Sequence, residues 1–182
     1  VWAFNIGGIG SDVCRDIKIV NNSINIIGQI EGPADVDPSN NTVTLNDIGI
    51  FVGKYSTTGN YVWAFVLGPN GGATGENIAV DNLGNIIISG NWITNIPIDF
   101  DPSTASILFT PVGGDFYIAK YSSNGLYQWA FQISGPNTGY NWNYGLSVDS
   151  YDNIFTIGAY NTTTDFDPGP GVAQLIANNN FN

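Results

Sequence analysis

The stretch DFYIAKYSSNGLYQWAF, residues 115–131, decides the fold of this chain. Two runs of apolar and aromatic residues flank the polar sequence Ser-Ser-Asn-Gly, a pattern typical of two short β-strands joined by a tight turn. Residues 49–65, GIFVGKYSTTGNYVWAF, repeat the same order of residue types, and Trp-Ala-Phe also occurs at residues 2–4. Recurrence of the same residue order along the chain indicates tandem structural repeats.

Each copy carries further landmarks in a fixed order. A turn rich in Asp, Asn and Gly precedes a strand that ends in glycine, and an Asp-x-Asp-Pro segment follows. In the middle copy we predict four short β segments, at residues 77–81, 85–92, 115–121 and 127–133. Four-stranded units in tandem are typical of a β-propeller. The predicted fold is therefore all-β, with blades that are four-stranded antiparallel sheets, in a partial propeller cut from a longer repeat array.

The repeat divides the chain into three predicted units. Residues 1–67 form an opening strand plus blade 1, residues 68–133 form blade 2, and residues 134–182 form an incomplete blade 3. Alternate connections of an antiparallel meander emerge at the same end, so the tight turns share one face and the long connections share the other. Binding functions concentrate on loops held by a rigid scaffold, which makes the long-loop face the expected functional face.

Together these landmarks resemble the SBBP-type β-propeller repeats of secreted bacterial proteins. The first copy departs from the pattern at Asn21 and Val36, where the other copies have Asp and Phe. The resemblance implies a secreted or surface-exposed bacterial repeat protein and implies no particular ligand. It covers nearly the whole chain and rests on the turn at Val80-Asp81-Asn82, on Asp99-Phe100-Asp101-Pro102, on Lys120-Tyr121 and on Trp129-Ala130-Phe131.

Composition removes several classes of function. The 182 residues have a formal net charge of −11, from 15 acidic and 4 basic side chains, which argues against a nucleic-acid partner. Histidine is absent and Cys14 is the single cysteine, so the sequence has no Cys/His zinc site, no Ser-His-Asp triad and no internal disulfide. No apolar run is long enough for a membrane span. The low charge content and acidic balance favour an extracellular or cell-surface location.

The Asp-x-Asp-Pro segments are candidate metal sites. Residues two apart in an extended strand point to the same side, so each segment can present two carboxylates to Ca²⁺, a cation that prefers oxygen ligands. The alternative is that Asp and Pro start a β-turn, with the carboxylate accepting local N–H groups. The candidate calcium ligands are Asp35, Asp37, Asp99, Asp101, Asp165 and Asp167.

A second candidate site comes from sequence that does not repeat. Residues 139–145, GYNWNYG, have no counterpart in the other copies, and Trp92 ends its strand on the same predicted face. Aromatic faces beside amide side chains suit carbohydrate or peptide binding. The alternative is that these rings cover the gap between blades. The candidate ligand-binding residues are Trp92, Tyr140, Asn141, Trp142, Asn143 and Tyr144.

Residues that recur in every copy are expected to have structural roles. Trp2, Trp63 and Trp129 are predicted to lie in the core, because repetition indicates the same packing problem in each unit. Lys54 and Lys120 are predicted to form ion pairs with an Asp of the same or the next blade. Cys14 is predicted to be a small buried side chain.

The leading interpretation is a non-enzymatic extracellular module of a larger secreted or surface protein, acting as a scaffold, in adhesion or in ligand binding. The first alternative is a self-assembling structural protein, completed by strands or calcium links from neighbouring copies. The second is a carbohydrate-active enzyme that uses a pair of carboxylates, although the sequence singles out no such pair. The expected partners are a protein or glycan ligand, or neighbouring copies of the chain.

Overall fold

The structure is a computed structural model, and it describes residues 2–68, 70–135 and 139–177. All regular secondary structure in these residues is β. The strands are β1 (Gly7–Gly8), β2 (Val13–Val20), β3 (Ser23–Glu31), β4 (Ala34–Asp35), β5 (Thr44–Leu45), β6 (Ile48–Ser56), β7 (Tyr61–Leu67), β8 (Asn77–Val80), β9 (Ile86–Asn91), β10 (Ile98–Asp99), β11 (Leu108–Phe109), β12 (Phe116–Tyr121), β13 (Tyr127–Ile133), β14 (Asn141–Val148), β15 (Ile154–Tyr160), β16 (Thr163–Asp165) and β17 (Gln174–Ile176).

Two complete four-stranded antiparallel sheets form most of the structure. The first blade has the strand order β2-β3-β6-β7, and the second has the order β8-β9-β12-β13, so each sheet follows the chain as a simple meander. The four strands of the second blade lie within the four segments predicted for the middle copy. The prediction of an all-β fold built from propeller-like blades is confirmed.

The third blade is represented by two strands among the described residues. β14 and β15 pair in antiparallel register, with Val148 opposite Ile154 and Asn141 opposite Tyr160. A register shift between Asn143 and Gly145 marks a bulge in β14. Bulges re-aim side chains, and this one lies where the blade meets its neighbour.

Small two-stranded ribbons lie between the second and third strand positions of the blades. They pair β4 with β5, β10 with β11, and β16 with β17, and the Asp-x-Asp-Pro segments lie in these ribbons. β1 adds a short edge to the first ribbon. The sequence predicted these connections as loops, because two or three paired residues are too few to produce a readable strand pattern.

The first strands of the three blades lie side by side. β8 contacts β2 on one side and β14 on the other. The backbone N–H of Ile78 in β8 donates to Asp16 Oδ2 of β2 at 3.0 Å, and Asn77 Nδ2 donates to Asn143 Oδ1 of β14 at 2.9 Å. The blades thus radiate from neighbouring inner strands, as in a propeller.

Apolar side chains fill the space between the first two blades. Alternate residues of a strand face opposite sides of the sheet, so the neighbours Ile26 and Ile27 of β3 belong to different cores. Ile27 packs with Tyr117 and Tyr121 of the second blade. Ile26 lies on the other face of the first blade, where Phe4 covers part of the sheet.

The residues around Trp2 depart from the sequence-based expectation. An opening β-strand was predicted there, but residues 2–6 form no strand, and β1 begins only at Gly7. The prediction of a core position is wrong for Trp2, which is 50% exposed. Trp63 is partly buried against the core between the first two blades. Its indole lies at the seam between two blades rather than inside one.

Candidate functional site

The Asp-x-Asp-Pro segments form linked turns closed by carboxylates. Asp99 Oδ1 accepts hydrogen bonds from the backbone N–H groups of Asp101 at 3.1 Å and Ile107 at 2.8 Å, and Asp101 Oδ1 accepts from Ser103 N–H at 2.9 Å. Asp35 and Asp37 make the corresponding bonds in the first copy, and Asp165 and Asp167 make them in the third. One oxygen of each carboxylate is therefore already engaged by the backbone.

These hydrogen bonds act on the ionisation of the carboxylates. Burial opposes ionisation of Asp99, but hydrogen bonds from Ile107, Ser106 and Asp101 outweigh it and hold the pKa below its usual value. For Asp165, the amides of Asp167 and Ala173 lower the pKa. Within the described ranges, no three Asp, Glu or Cys side chains lie close enough to hold a metal ion together. The calcium hypothesis stays a prediction.

Three of the four aromatic candidates, Trp92, Tyr140 and Trp142, line a cleft at the long-loop end of the second and third blades. The cleft has a volume of about 340 Å³. Residues that follow β9 form one wall, residues that precede β12 form the floor, and residues at the start of β14 form the other wall. Its lining consists of Trp92, Ile93, Thr94, Asn95, Gly113, Gly114, Gly139, Tyr140 and Trp142.

Backbone contacts hold the two walls of the cleft together. Gly114 N–H donates to Gly139 O at 3.1 Å, and Asn141 N–H donates to Gly114 O at 2.6 Å, which forms a short parallel bridge. A Cβ atom at Gly114 would lie 3.0 Å from Gly139 O and from the Tyr140 ring. Glycine suits this position because any larger residue would need the neighbouring segment to shift by a few tenths of an ångström.

The predicted aromatic residues occupy different depths. Trp92 is 3% exposed and makes edge-to-face contacts with Phe100 and Tyr117, so its ring belongs mainly to the core of the second blade. Tyr140 is 52% exposed, and Trp142 is partly buried. Tyr144 is also exposed but does not line the cleft. The accessible aromatic surface of the cleft comes from Tyr140 and Trp142.

Asn143 joins the third blade to the second instead of facing the cleft. It is buried, and its Oδ1 accepts from Ser89 Oγ at 2.6 Å and from Asn77 Nδ2 at 2.9 Å. The Asn91 side chain pairs with the backbone of Asn143: Asn143 N–H donates to Asn91 Oδ1 at 2.7 Å, and Asn91 Nδ2 donates to Asn143 O at 3.2 Å. The Nδ2 of Asn143 also contacts Thr156 Oγ1. This arrangement matches the packing alternative for Asn143.

Asn141 is buried beside the third ribbon. Its Oδ1 accepts from Thr164 Oγ1 at 2.6 Å. Sequence reasoning therefore identified three residues that line the cleft and missed the rest of its lining. The signal that points to the missed residues is the pair Gly113-Gly114, because adjacent glycines permit close backbone approach.

The recurring lysines contact different groups in the two complete blades. Lys120 Nζ lies 2.8 Å from Asp81 Oδ2 in the same blade, which confirms the predicted ion pair. The prediction is wrong for Lys54, whose Nζ donates to the backbone oxygen of Ser123 at 2.9 Å, and burial lowers its pKa. In the second blade, Asp81 supplies the carboxylate that pairs with the lysine. The first blade has Asn21 at the corresponding turn, so Lys54 has no carboxylate at that position. Cys14 is exposed beside a bulge in β2, so its predicted burial is also wrong.

Fold and site together define a β-propeller-like repeat protein, and comparison with known proteins agrees. In an alignment of 132 residues that covers 67% of the chain, the sequence is 31% identical to an uncharacterized WD repeat-containing protein of Acanthamoeba polyphaga mimivirus. The chain corresponds to 9% of that viral protein's length. No family model matches the chain.

Among the described residues, no helix is long and apolar enough to cross a membrane.

Proposed function

We propose that the chain is a non-enzymatic repeat module of a larger protein, which acts as a scaffold and binds a neutral ligand in the cleft between the second and third blades. The observation that carries this proposal is the cleft itself. Its volume of about 340 Å³ falls in the range of small-ligand sites, and it opens on the long-loop face. The likeness to a WD repeat-containing protein supports the scaffold role.

The chemistry of the lining favours an uncharged carbohydrate. None of the described residues that line the cleft is Asp, Glu, Lys or Arg, so they offer no ion-pair partner. Trp142 and Tyr140 supply apolar ring faces, against which the C–H face of a sugar can pack. Thr94 and Asn95 supply exposed hydrogen-bonding groups at the rim. The net charge of −11 also disfavours anionic ligands at long range.

Binding rather than catalysis is proposed because the lining lacks the usual reactive groups. Most glycoside hydrolases use two carboxyl groups on either side of the scissile bond, and none of the described residues that line this cleft carries one. Among the lining residues that the structure describes, Tyr140 alone has an ionisable side chain. We place the module outside the cell, at a surface or in adhesion, on the basis of its composition and of the resemblance to secreted repeats.

The test is calorimetric titration with a panel of short neutral oligosaccharides and their uronic-acid counterparts. We expect a neutral member to bind and its anionic counterpart to bind at least tenfold more weakly. Tyr140→Ala should weaken binding about tenfold, whereas Tyr151→Ala, at a more exposed tyrosine outside the cleft, should leave it unchanged. Absence of binding across the panel, or equal effects of the two substitutions, would contradict the proposal.

We retain calcium at the Asp-x-Asp-Pro segments as a separate proposal. The double substitution Asp99→Asn/Asp101→Asn keeps the Oδ1 acceptors of the turn and removes the charges that a cation requires. Millimolar calcium should raise the melting temperature of the unmodified chain and not that of the variant, because a ligand of the folded state stabilises it by mass action. A melting temperature that is independent of calcium and chelator would leave the aspartates as turn residues alone.

A further inference from the structure

A second concave surface, which we call the seam groove, lies between the first and second blades. Both of these blades have all four strands. The groove has a volume of about 320 Å³. Its walls come from residues 63–65 of β7, from residues 101–103 in the turn after β10, and from residues 124–126 in the turn between β12 and β13. It is therefore separate from the cleft between the second and third blades.

The aromatic wall of the seam groove is held in place by contacts within the fold. Trp63 and Phe65 are stacked, with ring centroids 5.5 Å apart and an interplanar angle of 5°. Trp63 Nε1 donates to Ser123 O at 3.2 Å, and a Cβ atom at Gly125 would lie 3.2 Å from the indole. Leu126, which is 63% exposed, adds apolar surface to the lining. A ligand with an apolar body would meet a wall that is already ordered, which lowers the entropic cost of binding.

Asp101 gives the seam groove a negative charge. Among the described residues that line the groove, it alone has an ionisable side chain. Its Oδ1 accepts the backbone N–H of Ser103 at 2.9 Å, and it makes no ion pair within the described part of the chain. The lysines of the two neighbouring blades are engaged elsewhere, because Lys120 pairs with Asp81 and Lys54 donates to a backbone oxygen. The Asp101 carboxylate is thus available to a cation from outside the chain.

A carboxylate beside apolar walls favours one class of cation. Calcium takes about 6 to 8 oxygen ligands, and the rings of this groove supply none. An organic ammonium group uses both features, because its N–H groups can donate to the carboxylate while its hydrocarbon body packs on Trp63, Phe65 and Leu126. The formal net charge of −11 also raises the concentration of cations near the chain.

From these features we infer that the seam groove binds a small organic ammonium compound with an apolar body. The ammonium group pairs with Asp101, and the apolar body lies against Trp63 and Phe65. This inference goes beyond the function proposed above and does not rest on it, because the two sites have different linings and take ligands of different charge.

The test follows the tryptophan indole N–H signals of the full chain by NMR as phenethylamine is added at pH 7. Phenethyl alcohol is the uncharged probe of similar shape, and a chelator is present throughout because Asp101 is also a candidate calcium ligand. We expect phenethylamine to shift the Trp63 signal in a saturable manner and to leave Trp142, which lines the cleft, unchanged. Phenethyl alcohol should bind several times more weakly, because it cannot form the ion pair.

Three substitutions separate the charge from the apolar wall. Asp101→Asn keeps the Oδ1 acceptor of the turn, so it should weaken phenethylamine severalfold and leave phenethyl alcohol unchanged. Asp37→Asn is the matched control, because Asp37 makes the same turn bond with Ser39 at 2.9 Å and does not line the groove. Leu126→Asn introduces the residue type that the first repeat has at this position, and it should weaken both probes to the same extent.

The inference is overturned if the Trp63 signal does not shift at millimolar phenethylamine, if the two probes bind equally well, or if Asp101→Asn and Asp37→Asn have the same effect. A shift of Trp142 with Trp63 unchanged would place the amine in the cleft and would also overturn it.

Discussion

At the scale of single residues, Asp side chains repeatedly accept hydrogen bonds from backbone N–H groups in turns, where no strand partner is present. Asp81, Asp99 and Asp149 each use Oδ1 to accept two backbone N–H groups, which closes a turn that the backbone alone would leave unsatisfied. The many Asp and Asn residues are thus a structural feature of the repeat. Although only 10% of the residues are charged, the two carboxylates of Asp-x-Asp-Pro hold the same positions in all three copies.

The ion pair between Asp81 and Lys120 predicts a pH-dependent contribution to stability. Burial opposes ionisation of Asp81, but hydrogen bonds from Lys120 and Asn85 outweigh it, so its pKa is lower than in the unfolded chain. Such a group stabilises the folded state above the ordinary Asp pKa of about 3.9, and this contribution is lost as the pH falls through the lower folded value. Asp81→Asn should therefore reduce the free energy of unfolding at pH 7 and make little difference near pH 2.

Urea unfolding at a series of pH values measures this effect. Asp47→Asn is the control, because Asp47 is exposed and makes no ion pair among the described residues. The account would be contradicted by a difference between the unmodified chain and Asp81→Asn that stays constant from pH 7 to pH 2.

At the scale of elements, the first hairpin differs from the corresponding hairpins of the other blades. Val20 pairs with Ser23, so Asn21 and Asn22 form a two-residue turn, and their φ angles are +49° and +60°. Positive φ at both central positions is the requirement of a type I′ turn, which Asn tolerates better than most residues. The second and third blades use longer turns closed by Asp81 and Asp149. The departure at Asn21 therefore reflects a different turn geometry.

This turn predicts opposite effects for two substitutions at one position. Asn22→Gly should stabilise the chain by up to about 1 kcal/mol, because Asn-Gly is the preferred type I′ sequence. Asn22→Val should destabilise it by about 1–2 kcal/mol, the cost of a left-handed conformation for a residue with a Cβ. Chemical denaturation measures both, and Asn40→Val, at an exposed position without positive φ, should have little effect. Equal stabilities of Asn22→Gly and Asn22→Val would rule out this turn.

The elements that the sequence predicts well are those with an apolar run of several residues and clear ends. The strands of the second blade were identified because apolar runs such as Ile86–Asn91 are flanked by Gly and Asn. The ribbons were not predicted, since pairs such as Ile98 with Phe109 depend on a turn whose geometry comes from Asp99 and Asp101. Local pattern identifies long pairings, and side-chain hydrogen bonds decide the short ones.

At the scale of the whole molecule, the two seams between blades have different chemistry. The first blade packs on the second mainly through apolar residues such as Ile27 and Tyr117. The second blade meets the third through buried polar groups, including Asn91 and Asn143. Buried polar groups require specific partners, so these contacts hold the third blade in one position relative to the second. In that position, Tyr140 and Trp142 line the cleft.

The candidate site was therefore only partly predictable from sequence. Aromatic residues that do not repeat indicated one side of the cleft, because Tyr140 and Trp142 have no counterparts in the other copies. The depth of Trp92 and the burial of Asn143 depend on how neighbouring blades pack, and a pattern along one strand does not encode that. The sequence therefore does not distinguish Tyr140 and Trp142, which line the cleft, from Asn143, which lies at the seam between blades.

The measurement that tests the central claim most directly is the indole N–H region of a ¹H–¹⁵N NMR spectrum, recorded as short neutral oligosaccharides are added. The chain has five tryptophans, at positions 2, 63, 92, 129 and 142, so each reports on its own location. The account predicts that a binding sugar shifts the signal of Trp142, with a smaller shift for Trp92, and leaves Trp2, Trp63 and Trp129 unchanged. Five unchanged signals, or shifts confined to those last three, would contradict it.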